Sequence, residues 1–234
     1  FAGIVGRYAD LLSDRAANET AAEFCRGKIA EIVKDPALAE ALAPRGYAFG
    51  TKRPCLDTGY YQTFNRDNVT LVDLRKTPLD SITPSGVKTS DANYEFDAIV
   101  FATGFDAMVG ALNAIDIHGR NGVLLRDQWS NGPRNYLGLA MVDFPNMFTI
   151  TGPFSPSVFS NMIVSIEQHV EWIADCIDHV GKSGATGIEA TAQAQQGWVD
   201  HVTELANTTL FPETDSWYVG ANIPGKPRVF MPYV

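Results

Sequence analysis

Phe96-Asp97-Ala98-Ile99-Val100-Phe101-Ala102-Thr103-Gly104-Phe105-Asp106 is the stretch on which the fold reading turns. Residues 96–102 form a short, nearly continuous apolar run, the pattern of a strand buried on both faces of a parallel sheet. The run ends in Thr103-Gly104. A glycine there lets a backbone approach a ligand without a Cβ clash, and in doubly wound sheets ligands sit at the carboxyl ends of strands. An ordinary glycine turn accounts for the same residues and is, on these residues alone, the commoner case.

Upstream, residues 7–43 read as helix, with Ala21, Phe24, Ile29, Ile32 and Val33 at helical spacing among charged residues. Asp35-Pro36 interrupts the pattern, because proline disfavours helix in the residue before it. A second short helix is expected from Pro36, a good first-turn residue, to about Leu42. Val69 to Val72 is β-rich, and Ile82 to Val87 encloses Thr83-Pro84-Ser85-Gly86, a turn, so a hairpin is expected there. Downstream, Phe148-Thr149-Ile150 reads as another buried strand, followed by a loop over 152–160. A long helix from Asn161 to about His179 carries Ile163, Ile166, Val170, Ile173 and Ile177 on one apolar stripe. A further helix from about Ala192 to Leu210 carries Trp198, Val202 and Leu205, and the tail from Ser216 is loop, then strand. Alternating strands and helices make the fold class α/β.

Composition narrows the function classes. The 234 residues are 45% hydrophobic and 19% charged, as in a globular protein, with a formal charge of −9 that argues against a nucleic-acid partner. Cys25, Cys55 and Cys176 form no zinc or C-x-x-C pattern and read as reduced thiols of a cytoplasmic protein. His118, His169, His179 and His201 lack metal-ligand spacing and read as surface or half-buried residues, so no metal is expected. No apolar run is long enough to span a membrane. Phe1 is not a start methionine, and Val229 to Val234 is an apolar run, so both ends read as cuts.

No G-x-G-x-x-G loop, Walker pattern, G-x-S-x-G elbow or H-E-x-x-H is present. Two further segments carry possible chemistry. Gly50-Thr51-Lys52-Arg53-Pro54 places adjacent cations among small and apolar residues; such a pair holds an anion or is simply a solvated surface pair. Asp215-Ser216-Trp217-Tyr218-Val219-Gly220-Ala221-Asn222-Ile223-Pro224-Gly225-Lys226 places two aromatics in a glycine-rich loop, suited to lie against a flat ring or to pack in the core.

Taken in order, T-K-R-P, D-x-G-Y-Y, F-A-T-G-F-D, G-P-x-S-P-S and S-W-Y-x-G-A-N-x-P-G-K resemble the Baeyer–Villiger monooxygenases, over essentially the whole chain. F-A-T-G-F alone is shared more widely among flavin monooxygenases; the ordered set is specific. The resemblance implies the C-terminal portion of a two-dinucleotide-binding-domain (Rossmann-like) flavoprotein with a helical insertion. It implies FAD and NADPH as cofactors, a ketone and dioxygen as substrates, and the remainder of the same chain as partner. Residues 1–50 are then the helical insertion of the NADPH domain, 51–102 its returning part, and 103–234 the C-terminal part of the FAD domain.

The resemblance also implies roles. Arg53 falls at the active-site arginine, where a permanent cation beside the flavin stabilises negative charge. Lys52 falls near the NADPH 2′-phosphate. Trp217 matches a residue that contacts the nicotinamide cofactor and borders the substrate space, and Met162 one whose backbone lies by the flavin ring. Thr103 and Gly104 fall at the cofactor edge. Phe154, Ser155, Pro156, Ser157, Val158 and Phe159 fall in the substrate-pocket loop, where Phe154 and Phe159 are bulkier than the glycine and leucine of the phenylacetone-type pattern and imply a reshaped pocket. The family fingerprint F-x-G-x-x-x-H-x-x-x-W is missing: Phe1-Ala2-Gly3 is followed by Arg7 where histidine belongs. Two other readings stay open: a different two-domain flavin monooxygenase acting on nitrogen or sulfur, and a fragment that binds neither cofactor alone.

Overall fold

The computed structural model describes residues 7–155 and 161–231, and the chain divides into two compact units. One comprises Phe1–Thr20, Gly46–Pro54 and Phe105–Val234; the other comprises Ala21–Arg45 and Cys55–Gly104.

In the smaller unit, helix α1 (Arg15–Ile32) supplies its residues from Ala21 onward. Ala22, Arg26, Ile29 and Val33 are buried, a stripe at three- and four-residue spacing, whereas Phe24 is two-thirds exposed. Helix α2 (Pro36–Leu42) begins where the Asp35-Pro36 pair places it. The Asp35 carboxylate accepts the amides of Ala37 and Leu38 at 2.8 and 3.2 Å, supplying two of the partners that a helix start lacks. Ile29, Val33 and Ala39 form the small core between them, with Tyr61 of the short helix α3 (Tyr60–Thr63) packed against it. Asn65 closes the end of α1, its side chain bonding Ile32 O and Lys34 N at 2.8 Å each.

The expected hairpin is present as β1 (Leu79–Thr83) and β2 (Gly86–Thr89), antiparallel, with Ile82 opposite Val87. A third strand, β3 (Asn93–Glu95), which the sequence reading did not anticipate, pairs with β2.

The expected strands at 69–72, 96–102 and 148–150 are not strands. Val100, Phe101 and Phe105 are 87%, 66% and 90% exposed instead of buried. The physical reason is that a parallel strand is made by its neighbours' hydrogen bonds. Among the described residues only the antiparallel β1–β2–β3 sheet exists; the Phe96 amide bonds Ser85 O at 2.9 Å, and residues 97–102 pair with no strand.

The larger unit contains short helices α4 (Gly110–Asn113) and α5 (Leu125–Gln128), then two long helices, α6 (Met162–Ser183) and α7 (Ala192–Asn207). Val109, Leu125, Trp129, Met141 and Phe144 make one core. Ala206, Phe211, Tyr218, Val219 and Phe230 make another, in which the Phe211 and Phe230 rings stack at 4.2 Å. The tail at 229–231 is buried at Phe230 and Met231 without strand pairing, for the same want of a neighbour.

The expected stripe of α6 is only partly covered: Ile163, Val170 and Ile177 are exposed, Ile166 and Ile173 are half-buried, and the buried Ser165 and His169 lie along the half-buried edge of the stripe. A stripe buries only against a covering element, and the covered side here is the one turned to residues 151–155.

Candidate functional site

The Thr51-Lys52-Arg53 turn is held from beneath. Asn18 of α1, 2% exposed, donates to Leu11 O at 2.7 Å and Phe49 O at 2.9 Å and accepts the Phe49 amide at 2.7 Å. Thr51 is fully buried; its hydroxyl donates to Ala48 O at 2.6 Å and accepts from the Thr214 hydroxyl at 2.9 Å. The turn is thereby joined to the segment that carries Trp217, far along the chain. Lys52 and Arg53 follow the pinned threonine and are exposed. The Lys52 ammonium sits over the Tyr47 ring at 4.6 Å, a cation–π contact.

Trp217 is half-buried and stacks on buried Tyr218 with ring centroids 4.1 Å apart. Asp215 pairs with Arg228 at 2.7 Å, and the Arg228 guanidinium also donates to Thr214 O at 3.2 Å. The rest of that loop grips the residues after Gly104. Asn222 donates to Phe105 O at 3.0 Å, while the Lys226 ammonium pairs with Asp106 and donates to Ala107 O at 2.7 Å. Gly220 has φ +77°, and a Cβ there would lie 3.2 Å from the Lys226 stem, so glycine lets that lysine pass.

Thr103 and Gly104 are exposed and belong to the other unit. Gly104 has φ +89° with open space where a Cβ would be, so backbone conformation alone accounts for glycine there. Met162 opens α6, after Asn161, whose side chain caps the helix by accepting the Ile163 amide at 3.0 Å.

Of the expected pocket loop, Pro156, Ser157, Val158 and Phe159 lie outside the described residues. Ser155 is buried under Gly138, where a Cβ would come within 2.2 Å of the Ser155 Cβ. The expectation that the Phe154 ring reshapes a pocket wall needs correction. The residue has φ +65° and turns its ring into the core against Val202 and Met231, leaving it 1% exposed. Burying an aromatic ring favours this over display at a surface.

His169 also departs from the surface or half-buried reading: it is 4% exposed, and its Nδ1 accepts the Thr151 amide at 2.9 Å. Burial holds its imidazole below the ordinary histidine range. Asn18, Thr214, Asn222 and Lys226 were not singled out by sequence reasoning, although the last two lie inside a quoted motif. Asn18 gave no signal, because one asparagine on a helix face usually meets water.

The arrangement offers two exposed cations on a rigid turn, tied to a half-exposed indole. That donor set suits one edge of an anionic dinucleotide, with charge for phosphate and a flat face for a ring. The backbone loop that would cradle a pyrophosphate is not in this sequence. Among the described residues no cluster could hold a metal.

No family model matches the chain. A protein named "Baeyer-Villiger monooxygenase" from Pseudooceanicola batsensis is 46% identical over 231 residues, covering 98% of this chain and 42% of that protein. This chain matches a C-terminal portion of the Baeyer–Villiger monooxygenases. "Cyclohexanone 1,2-monooxygenase" of Acinetobacter sp is also 46% identical, over 94% of this chain and 40% of its own length. The crystal structure of OTEMO in complex with FAD and NADP superposes with a TM-score of 0.88 at 43% identity, covering 91% of this chain and 40% of that one. The chain thus spans 40–42% of the length of these Baeyer–Villiger relatives.

The Thr51–Thr214 bond gives a measurable consequence. In the full-length protein, Thr51→Val removes an acceptor and a donor from a buried pair and is expected to cost about 1–3 kcal/mol of stability. Thr214→Val costs less, and the double variant costs less than the sum of the two, because both lose the same bond. Denaturant titration of the four proteins checks this; strict additivity would show that the two hydroxyls do not interact.

Proposed function

We propose that this chain is part of an FAD- and NADPH-dependent monooxygenase that inserts one oxygen atom of dioxygen into a ketone, giving an ester or lactone. The observation that carries the reading is the joining of the Thr51-Lys52-Arg53 turn to the Thr214–Trp217 segment by a buried hydroxyl pair. It sets two cations and an aromatic face on one rigid frame in a chain whose relatives bear monooxygenase names.

Bound FAD, once reduced by NADPH, supplies the activation of dioxygen. The residues of this chain supply charge and position. Arg53 offsets the negative charge that develops beside the flavin. Lys52 meets the 2′-phosphate of NADPH. The Trp217 face lies against the nicotinamide cofactor and borders the substrate space. Thr103 and Gly104 bring their backbone to the cofactor edge, and Met162 brings its own to the flavin ring. Ser155, Pro156, Ser157, Val158 and Phe159 belong to the substrate loop.

We assign residues 1–50 to a helical insertion of the NADPH domain, 51–102 to its returning part and 103–234 to the FAD domain. The division into units falls two residues from the last boundary, between Gly104 and Phe105, while Phe1–Thr20 and Gly46–Pro54 fall in the same unit as Phe105–Val234. A cytoplasmic location is proposed with this function, supported by the need for NADPH.

The test is to express the complete protein, record its visible spectrum and supply NADPH with a panel of linear and cyclic ketones under air. A flavin absorption band and products one oxygen heavier than the ketone are expected. Consumption of NADPH with no ester from any ketone would reject the reading. Oxygenated amines or sulfides in place of esters would favour a different flavin monooxygenase.

A further inference from the structure

The stem of the loop after residue 150 is unusual in its backbone. Thr151 has φ +51° and Phe154 φ +65°, both in the left-handed region that non-glycine residues avoid. For a β-branched threonine the conformation is costly and persists only where surrounding contacts hold it. Three side chains do so. Asn135 donates through Nδ2 to Pro153 O, and Trp198 of α7 donates through Nε1 to Phe154 O at 3.0 Å. His169 of α6 accepts the Thr151 amide through Nδ1 at 2.9 Å.

Of these, His169 holds the strained threonine itself. It is buried on the inward side of α6, beside the half-buried Ile166 and Ile173. Burying a polar side chain costs free energy unless it is hydrogen-bonded, and the Thr151 amide is the bond it gains here. An imidazole can accept at Nδ1 only when its proton is on Nε2 and the ring is neutral. The burial that depresses its basicity keeps it in that form.

We propose that His169 is a positioning residue for ketone oxygenation: by accepting the Thr151 amide it fixes the backbone of residues 151–155, and with it the start of the substrate loop. The role rests on the monooxygenase reading above. His169 touches neither cofactor nor substrate; it acts through Thr151.

The test uses the full-length enzyme with His169→Leu, which fills the space without an acceptor, and His169→Asn, whose Oδ1 lies near the place of Nδ1. In His169→Leu, amide hydrogen exchange over residues 150–155 quickens, and the KM for the ketone rises about tenfold, the loss expected for one buried hydrogen bond. The rate of flavin reduction by NADPH stays at the parent value. His169→Asn restores slow exchange and most of the ketone KM. In a Thr151→Gly background, His169→Leu has little further effect, because glycine adopts a positive φ without support.

Unchanged exchange in His169→Leu would overturn the assignment whatever reaction the enzyme performs. So would equal impairment of the Leu and Asn variants, or a fall in flavin reduction as large as the change in ketone KM, since that marks a general packing role. A parent enzyme that forms no ester rejects the monooxygenase reading, and this role for His169 with it, even where the exchange data show that the Thr151 bond exists.

Discussion

Replacing Arg53 by alanine in the complete enzyme is expected to leave flavin bound and to lower ester formation by about 10²–10³-fold or more, the range found when a group aimed at developing charge is removed. Arg53 is exposed and lies two residues after the buried Thr51, whose bonds to Ala48 and Thr214 do not involve the arginine. Arg53→Lys keeps the charge but gives up the planar fork of donors, so an intermediate activity is expected. The measurement is ester formed per NADPH consumed, with flavin content read from the visible spectrum. Normal ester formation in Arg53→Ala would remove Arg53 from the reaction; loss of flavin would give it a binding role instead.

Lys52→Ala is expected to raise the KM for NADPH by about 10–100-fold while changing that for NADH little, the size expected when a hydrogen bond to a charged group is lost. NADH lacks the 2′-phosphate, so it has nothing for the ammonium to meet. The lysine is ready to move: its present partner is the Tyr47 ring face at 4.6 Å, a contact worth only about 0.5–1 kcal/mol at an exposed site. Added salt weakens the preference for NADPH in the parent protein, because exposed charges are screened. Equal changes for both nucleotides would contradict the assignment and point to a structural role for the turn.

What could be read from sequence divides along a physical line. Features set by a few neighbouring residues were legible. Asp35-Pro36 marked the start of α2, Thr83 to Gly86 marked the β1–β2 turn, and Asn161 to His179 marked most of α6. Features set by what a segment meets were not. Residues 96–102 have the composition of a central strand, yet a strand is a relation between chains of hydrogen bonds, and among the described residues 97–102 have no strand beside them. Periodicity in α6 located a stripe of isoleucine and valine correctly and could not say whether anything covers it.

The site was legible as motifs but not as an assembly. Nothing local to Thr51 announces Thr214, and nothing local to Phe105 announces Asn222. His169 was misread for a related reason: a histidine at the edge of an apolar stripe ordinarily reaches water, and only the Thr151 amide that bonds it shows otherwise.

Those long-range bonds bear on how the protein is made. Thr51 and Thr214 are separated by 163 positions, and Phe105 and Asn222 by 117. Contacts that close large loops form late. During synthesis the Lys52-Arg53 turn leaves the ribosome long before the threonine that completes its support, so this side of the site matures only after residue 214 has emerged. A ribosome that stalls before residue 214 releases a chain that holds both cations but lacks the Thr214 hydroxyl and the Trp217 indole they are tied to.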